Sequence, residues 1–70
     1  MFDKNKITKC REEKKFTVDE LMIALNNFGF RITSTTIRNW ELGESIPNAN
    51  RLGKIAAFFK KPISYFYNDK

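Results

Sequence analysis

Ser34, Thr35, Arg38 and Asn39 carry the side chains best suited to recognising another molecule. On a helix capped by Thr33, with Ile37 and Trp40 turned inward, these four are left facing out. Short hydroxyl and amide side chains suit base edges in a DNA groove, since Asn pairs with adenine and Ser or Thr with several bases. Such residues are poor helix formers, and little charge pairing justifies them on stability alone. The start of the same helix offers free backbone N–H groups and the positive end of a dipole, which favour phosphate. Arg38, one turn along, can reach the backbone. A face that merely meets water can carry the same residue types, and these side chains alone leave both alternatives open.

Other chemistry is poorly represented. The chain has no His and a single cysteine, Cys10, which excludes an intramolecular disulfide and a Cys/His zinc cluster. No acid–base pair, nucleophile–base set or Gly-rich phosphate loop stands out, so no enzyme, metal or cofactor is expected. The net charge of +5, from 13 Lys and Arg against 8 Asp and Glu, suits a polyanion partner through counterion release. Many small soluble domains carry the same excess for solubility, so its distribution matters more. Residues 1–15 hold six positive and three negative charges, and residues 51–61 hold four positive and none negative. The acidic pairs Asp19/Glu20 and Glu41/Glu44 lie between.

The elements that must position these groups are helical nearly throughout. Asp3 or Asn5 caps a first helix running to about Lys15, with Ile7 and Cys10 inward. Thr17 caps a second, with Glu20 at capping-box spacing and Leu21, Met22 and Leu25 as its apolar stripe. Turn chemistry at residues 26–30 interrupts the pattern, with Gly29 as the left-handed residue. Thr33 starts a third helix that Gly43 stops. After Pro47, Asn48 caps a fourth reaching about Lys60, with Leu52, Ile55, Ala56 and Phe59 inward. Pro62 fits the first turn of a short fifth helix carrying Ile63 and Phe66. No stretch alternates with period two, so no strand is expected. The fold class is all-α, five helices in one domain over residues 1–70, near the lower size limit for a single core. The charged first residues do not resemble a signal peptide, and no apolar run approaches the roughly 20 residues of a membrane span. A cytoplasmic protein with no membrane partner is expected.

Thr17-Val18-Asp19-Glu20-Leu21, the run from Ile32 through Thr36-Ile37-Arg38-Asn39-Trp40-Glu41-Leu42-Gly43, and Ile46-Pro47-Asn48 together resemble the phage-repressor and Cro-like (Xre-type) helix-turn-helix family. Leu52-Gly53-Lys54-Ile55-Ala56-Ala57 and Pro62-Ile63-Ser64-Tyr65-Phe66 resemble that family's last two helices, so the resemblance covers about residues 4–67. It implies a lambda-repressor-like DNA-binding domain in which Ser34, Thr35 and Asn39 touch base edges. It implies phosphate contacts at Thr33, Thr36 and Asn48 and a structural ion pair of Arg11 and Glu41, and Thr17, Arg31 and Arg38 are expected to meet phosphate beside them. Three positions depart from the family. Val18 stands where a Gln normally reaches DNA, Met22 replaces a small residue, and residues 26–30 lengthen the turn between helices two and three. Of the two aromatics in that turn, Phe28 and Phe30, core positions are expected because small domains recruit aromatics to raise burial.

The resemblance points to a sequence-specific transcriptional regulator, a Cro-like repressor or switch protein, reading the major groove of double-stranded DNA. A module of this size touches too little DNA to specify a genomic site alone. A homodimer on an operator with two half-sites is therefore expected, using the C-terminal cluster around Ile63, Tyr65 and Tyr67. The alternative is a protein-binding modulator, antirepressor-like or antitoxin-like, that keeps the fold and acts on a partner repressor. Phe28 discriminates between them, buried on the first account and exposed on the second.

Overall fold

The computed structural model describes residues 1–67. Each α-helix opens on a short polar side chain that satisfies one of the backbone N–H groups left free in its first turn. Asp3 opens α1 (Lys4–Glu13), Thr17 opens α2 (Val18–Asn27), Thr33 opens α3 (Ser34–Leu42) and Asn48 opens α4 (Ala49–Phe59). The α2 cap is a reciprocal box: the Glu20 N–H donates to Thr17 Oγ1 at 3.1 Å, and the Thr17 N–H to the Glu20 carboxylate at 2.8 Å. This box matches the Thr17/Glu20 spacing seen in the sequence.

The helices also end alike. In each, a left-handed residue follows the last turn, and the next residue's N–H reaches back five positions, the Schellman arrangement. Gly29, at φ 103°, sends Phe30 N–H to Leu25 O at 2.9 Å, and Gly43, at φ 82°, sends Glu44 N–H to Asn39 O at 2.9 Å. Lysines do the same work at the other two ends. Lys15 (φ 60°) precedes a bond from Phe16 N–H to Arg11 O, and Lys60 (φ 59°) precedes one from Lys61 N–H to Ala56 O. The first helix therefore stops at Glu13, ahead of the expected Lys15, because Lys15 has already left the helical region.

The inward stripes meet in one core of Ile7, Cys10, Leu21, Leu25, Phe30, Ile32, Ile37, Trp40, Leu52, Ile55, Ala56, Phe59 and Phe66. The third helix packs against α1 and α2, and the C-terminal segment closes over α1 and α4. That segment corrects the expected fifth helix. Residues Ile63–Phe66 form one 3₁₀ turn, with Pro62 in extended backbone just before it. The turn has no room to grow, because Tyr67 leaves helical geometry to make an isolated antiparallel bridge with Phe2. Among the described residues the architecture is four α-helices and this turn, without a strand. No helix is long and apolar enough to cross a membrane.

Candidate nucleic-acid interface

Three of the helix starts carry residues expected to meet phosphate. The hydroxyl of Thr33 accepts the Thr36 N–H at 3.3 Å and lies 3.1 Å from the Thr36 hydroxyl, so these two side chains hold one another. Thr17 is exposed and engaged in its capping box. Asn48 Oδ1 accepts the Arg51 N–H at 2.9 Å, which leaves its amide nitrogen outward. The segment entering α3 is pinned from behind by Asn26, whose Nδ2 donates to Met22 O at 2.7 Å and Ile32 O at 3.1 Å. Beside it lies an open groove of about 300 Å³ lined by Asn26, Arg31, Ile32, Thr33, Thr36 and Arg51. The geometry thus brings Arg31, Thr33 and Thr36 together.

The outward side chains of α3 divide into two groups. Thr35 and Arg38 are exposed and Asn39 is half-buried, and none of the three makes a side-chain hydrogen bond among the described residues. They present free donors and acceptors. Ser34 instead turns toward α2, where its hydroxyl donates to the Asp19 carboxylate and lies 3.4 Å from Met22 Sδ. Met22, where the resemblance implied a smaller residue, is thus part of the α2–α3 contact. Val18 is half-buried and packs at the edge of the core, so its apolar side chain has a structural use.

Behind this face stands the Arg11–Glu41 pair. Arg11 Nε and Nη2 reach the two Glu41 oxygens at 2.9 and 3.1 Å, and Nη1 donates to Phe16 O at 2.8 Å. The Thr8 hydroxyl adds a further donor to Glu41 at 3.0 Å. One cluster therefore fastens α1 to the last turn of α3 and to the start of the following segment. Hydrogen bonding of the guanidinium to the Glu41 carboxylate is the main cause that raises the Arg11 pKa above its ordinary value.

The aromatics of the α2–α3 connection separate. Phe30 is buried and stacks on Trp40, with ring centres 6.5 Å apart and planes at 21°. Phe28 is 52% exposed and meets the Phe58 ring edge to face, with ring centres 5.4 Å apart. The expectation that both are core therefore fails for Phe28. It caps α2 in helical geometry on the outward side, and the left-handed Gly29 then turns the chain so that Phe30 points in. Phe28→Ser should consequently lower stability by about 1–3 kcal/mol, the pairing with Phe58 plus the half-burial of the ring. A thermal melt checks this, and a loss of several kcal/mol would show that the residue is core after all.

In the C-terminal segment, Ile63 and Tyr67 are exposed, at 46% and 40%. Tyr65 is half-buried, with the ammonium groups of Lys6 and Lys61 at 4.5 and 4.8 Å from its ring centre. Tyr67 meets Phe2 edge-on. Arg51, which lines the groove beside Arg31, is not among the residues expected from the sequence. Its signal was its place in the first turn after the Asn48 cap, at the head of the basic stretch. Among the described residues, no group of three or more His, Cys, Asp or Glu could hold a metal ion.

A family model described as helix-turn-helix matches residues 7–66. No curated protein and no solved structure matches the chain.

Proposed function

From the premise that this chain belongs to the Xre/Cro-like helix-turn-helix family of DNA-binding regulators, we propose that it is a Cro-like, sequence-specific repressor or switch protein reading the major groove with α3. The observation that carries this reading is the face of Thr35, Arg38 and Asn39, whose hydrogen-bonding groups are free beside a groove lined by two arginines. Thr35 and Asn39 are the base readers. Ser34 joins them if its hydroxyl exchanges Asp19 for a base on binding. Arg31, Thr33, Thr36 and Arg38 hold one strand's phosphates, with Thr17 and Asn48 contributing from the starts of α2 and α4. Two copies on two half-sites would supply the contact area that one module lacks, and the exposed Ile63 and Tyr67 support a homodimer through the C-terminal segment.

Base readers and phosphate grips separate on substitution. Asn39→Ala should relax preference at one base pair, at a cost of about 1–3 kcal/mol there. Arg38→Ala should weaken binding to every sequence alike and flatten the salt dependence by about one unit. Competition binding with a library of site variants measures both. Equal losses in the two variants, with no change in preference, would remove Asn39 from the readers.

The exposure of Phe28 favours a second reading, in which the fold acts on a partner repressor through the Phe28–Phe58 edge. On that account Phe28→Ser abolishes a protein partnership while DNA binding by the wild-type chain is absent from the start.

A further inference from the structure

Arg31, in the segment entering α3, and Arg51, in the first turn of α4, come from different parts of the chain and line the same open groove. Both are exposed, and the ion pair formed among the described residues is Arg11–Glu41, so neither guanidinium has a carboxylate partner. The other lining residues, Asn26, Ile32, Thr33 and Thr36, are uncharged. Two like charges facing one groove repel each other unless an anion lies between them. A phosphodiester has two non-bridging oxygens, one for each guanidinium, and arginine favours such geometry. The two walls are also fixed before any ligand arrives. Asn26 ties the carbonyl next to Arg31, and the Asn48 cap holds the backbone of Arg51.

We propose that Arg31 and Arg51 clamp a single backbone phosphate between them, which makes Arg51 a DNA-binding residue and sets the register of α3 on the duplex. The clamp rests on the DNA-binding reading above. It differs from two independent phosphate contacts in a measurable way, because the second arginine still neutralises the phosphate when the first is removed.

The test is the salt dependence of duplex binding, by fluorescence anisotropy, for the wild type, Arg31→Gln, Arg51→Gln and the double variant. Each neutralised phosphate contributes about 0.9 to the slope of log K against log salt. A shared phosphate predicts a loss clearly below that in each single variant and about 0.9 in the double. Losses of about 0.9 in each single variant and about 1.8 in the double would overturn the clamp in favour of separate contacts. Duplexes carrying one neutral methylphosphonate at successive positions locate the phosphate. At one position the substitution should weaken the wild type and leave the double variant unchanged, and finding no such position would also overturn the clamp. A wild type with a steep slope and variants identical to it would sink the clamp alone. A wild type with no slope would sink the DNA-binding reading and the clamp with it. Both arginines are exposed, and melts of the variants should match the wild type.

Discussion

Trp40→Ala is expected to lower the melting temperature by on the order of 12–40 °C, or to leave the chain largely unfolded at 25 °C. Trp40 is 2% exposed, stacks on Phe30, and shares the interior with Ile7, Leu21, Leu25, Ile37, Ile55 and Phe59. Removing so large a side chain from a packed core costs about 3–5 kcal/mol, the lost transfer energy plus the cavity left behind. A chain of 70 residues has only about 4–10 kcal/mol of stability in all. Trp40 also lies in the last turn of α3, so the cavity would open beneath that helix. Circular dichroism during a thermal melt measures the effect, since the substitution removes the single Trp that fluorescence would follow. Trp40→Phe should recover much of the loss. A Trp40→Ala melt within a few degrees of the wild type would contradict the packing.

The second large effect concerns Arg11 and Glu41. Their side chains are 16% and 11% exposed, and every polar atom of the pair's contact has a protein partner. Breaking a buried pair by removing one member costs about 3–5 kcal/mol, because the other charge is left without compensation. The remaining access of water places Glu41→Leu and Arg11→Met near the lower end of that range. The double variant should be markedly more stable than either single one, since it leaves no orphaned charge. A cation whose folded pKa is raised, as for Arg11, contributes stability that is complete below its unfolded pKa and lost only as pH rises through the folded one. Stability near neutrality should therefore be insensitive to pH through Arg11. Urea titrations of the three variants measure the cycle, and strictly additive losses would mean that the two groups act separately.

The features legible in the sequence are those decided over four or five residues. Thr17 with Glu20, Thr33, Asn48, Gly29 and Gly43 announce helix starts and stops because caps depend on local backbone geometry. The apolar stripes of α2 and α4 announce their buried faces for the same reason. Apart from the Arg11–Glu41 pair, which the family resemblance implied and the structure contains, contacts between elements were not legible. Ser34 meets Asp19, a residue fifteen positions away, and no local pattern shows that the hydroxyl already has a partner. Lys15 and Lys60 occupy left-handed positions that usually hold Gly, so the exact end of α1 could not be read. Phe28 and Phe30 have the same composition and differ only in the side of Gly29 on which they stand. The C-terminal turn read as a helix because its apolar spacing is helical, whereas the bridge from Tyr67 to Phe2 limits it to a single 3₁₀ turn. Arg51 lines the groove with Arg31 because α4 brings it there, a placement no local pattern shows.

Titrating salt against binding of the wild-type protein is the decisive measurement of action on DNA. The duplexes are a random sequence and the region beside its own gene. A DNA-binding regulator gives a steep slope on both, from release of counterions by the cationic groups around α3, and tighter binding at one site in the second. A shallow slope with no preferred site, at protein concentrations where the fold is intact by circular dichroism, would contradict it.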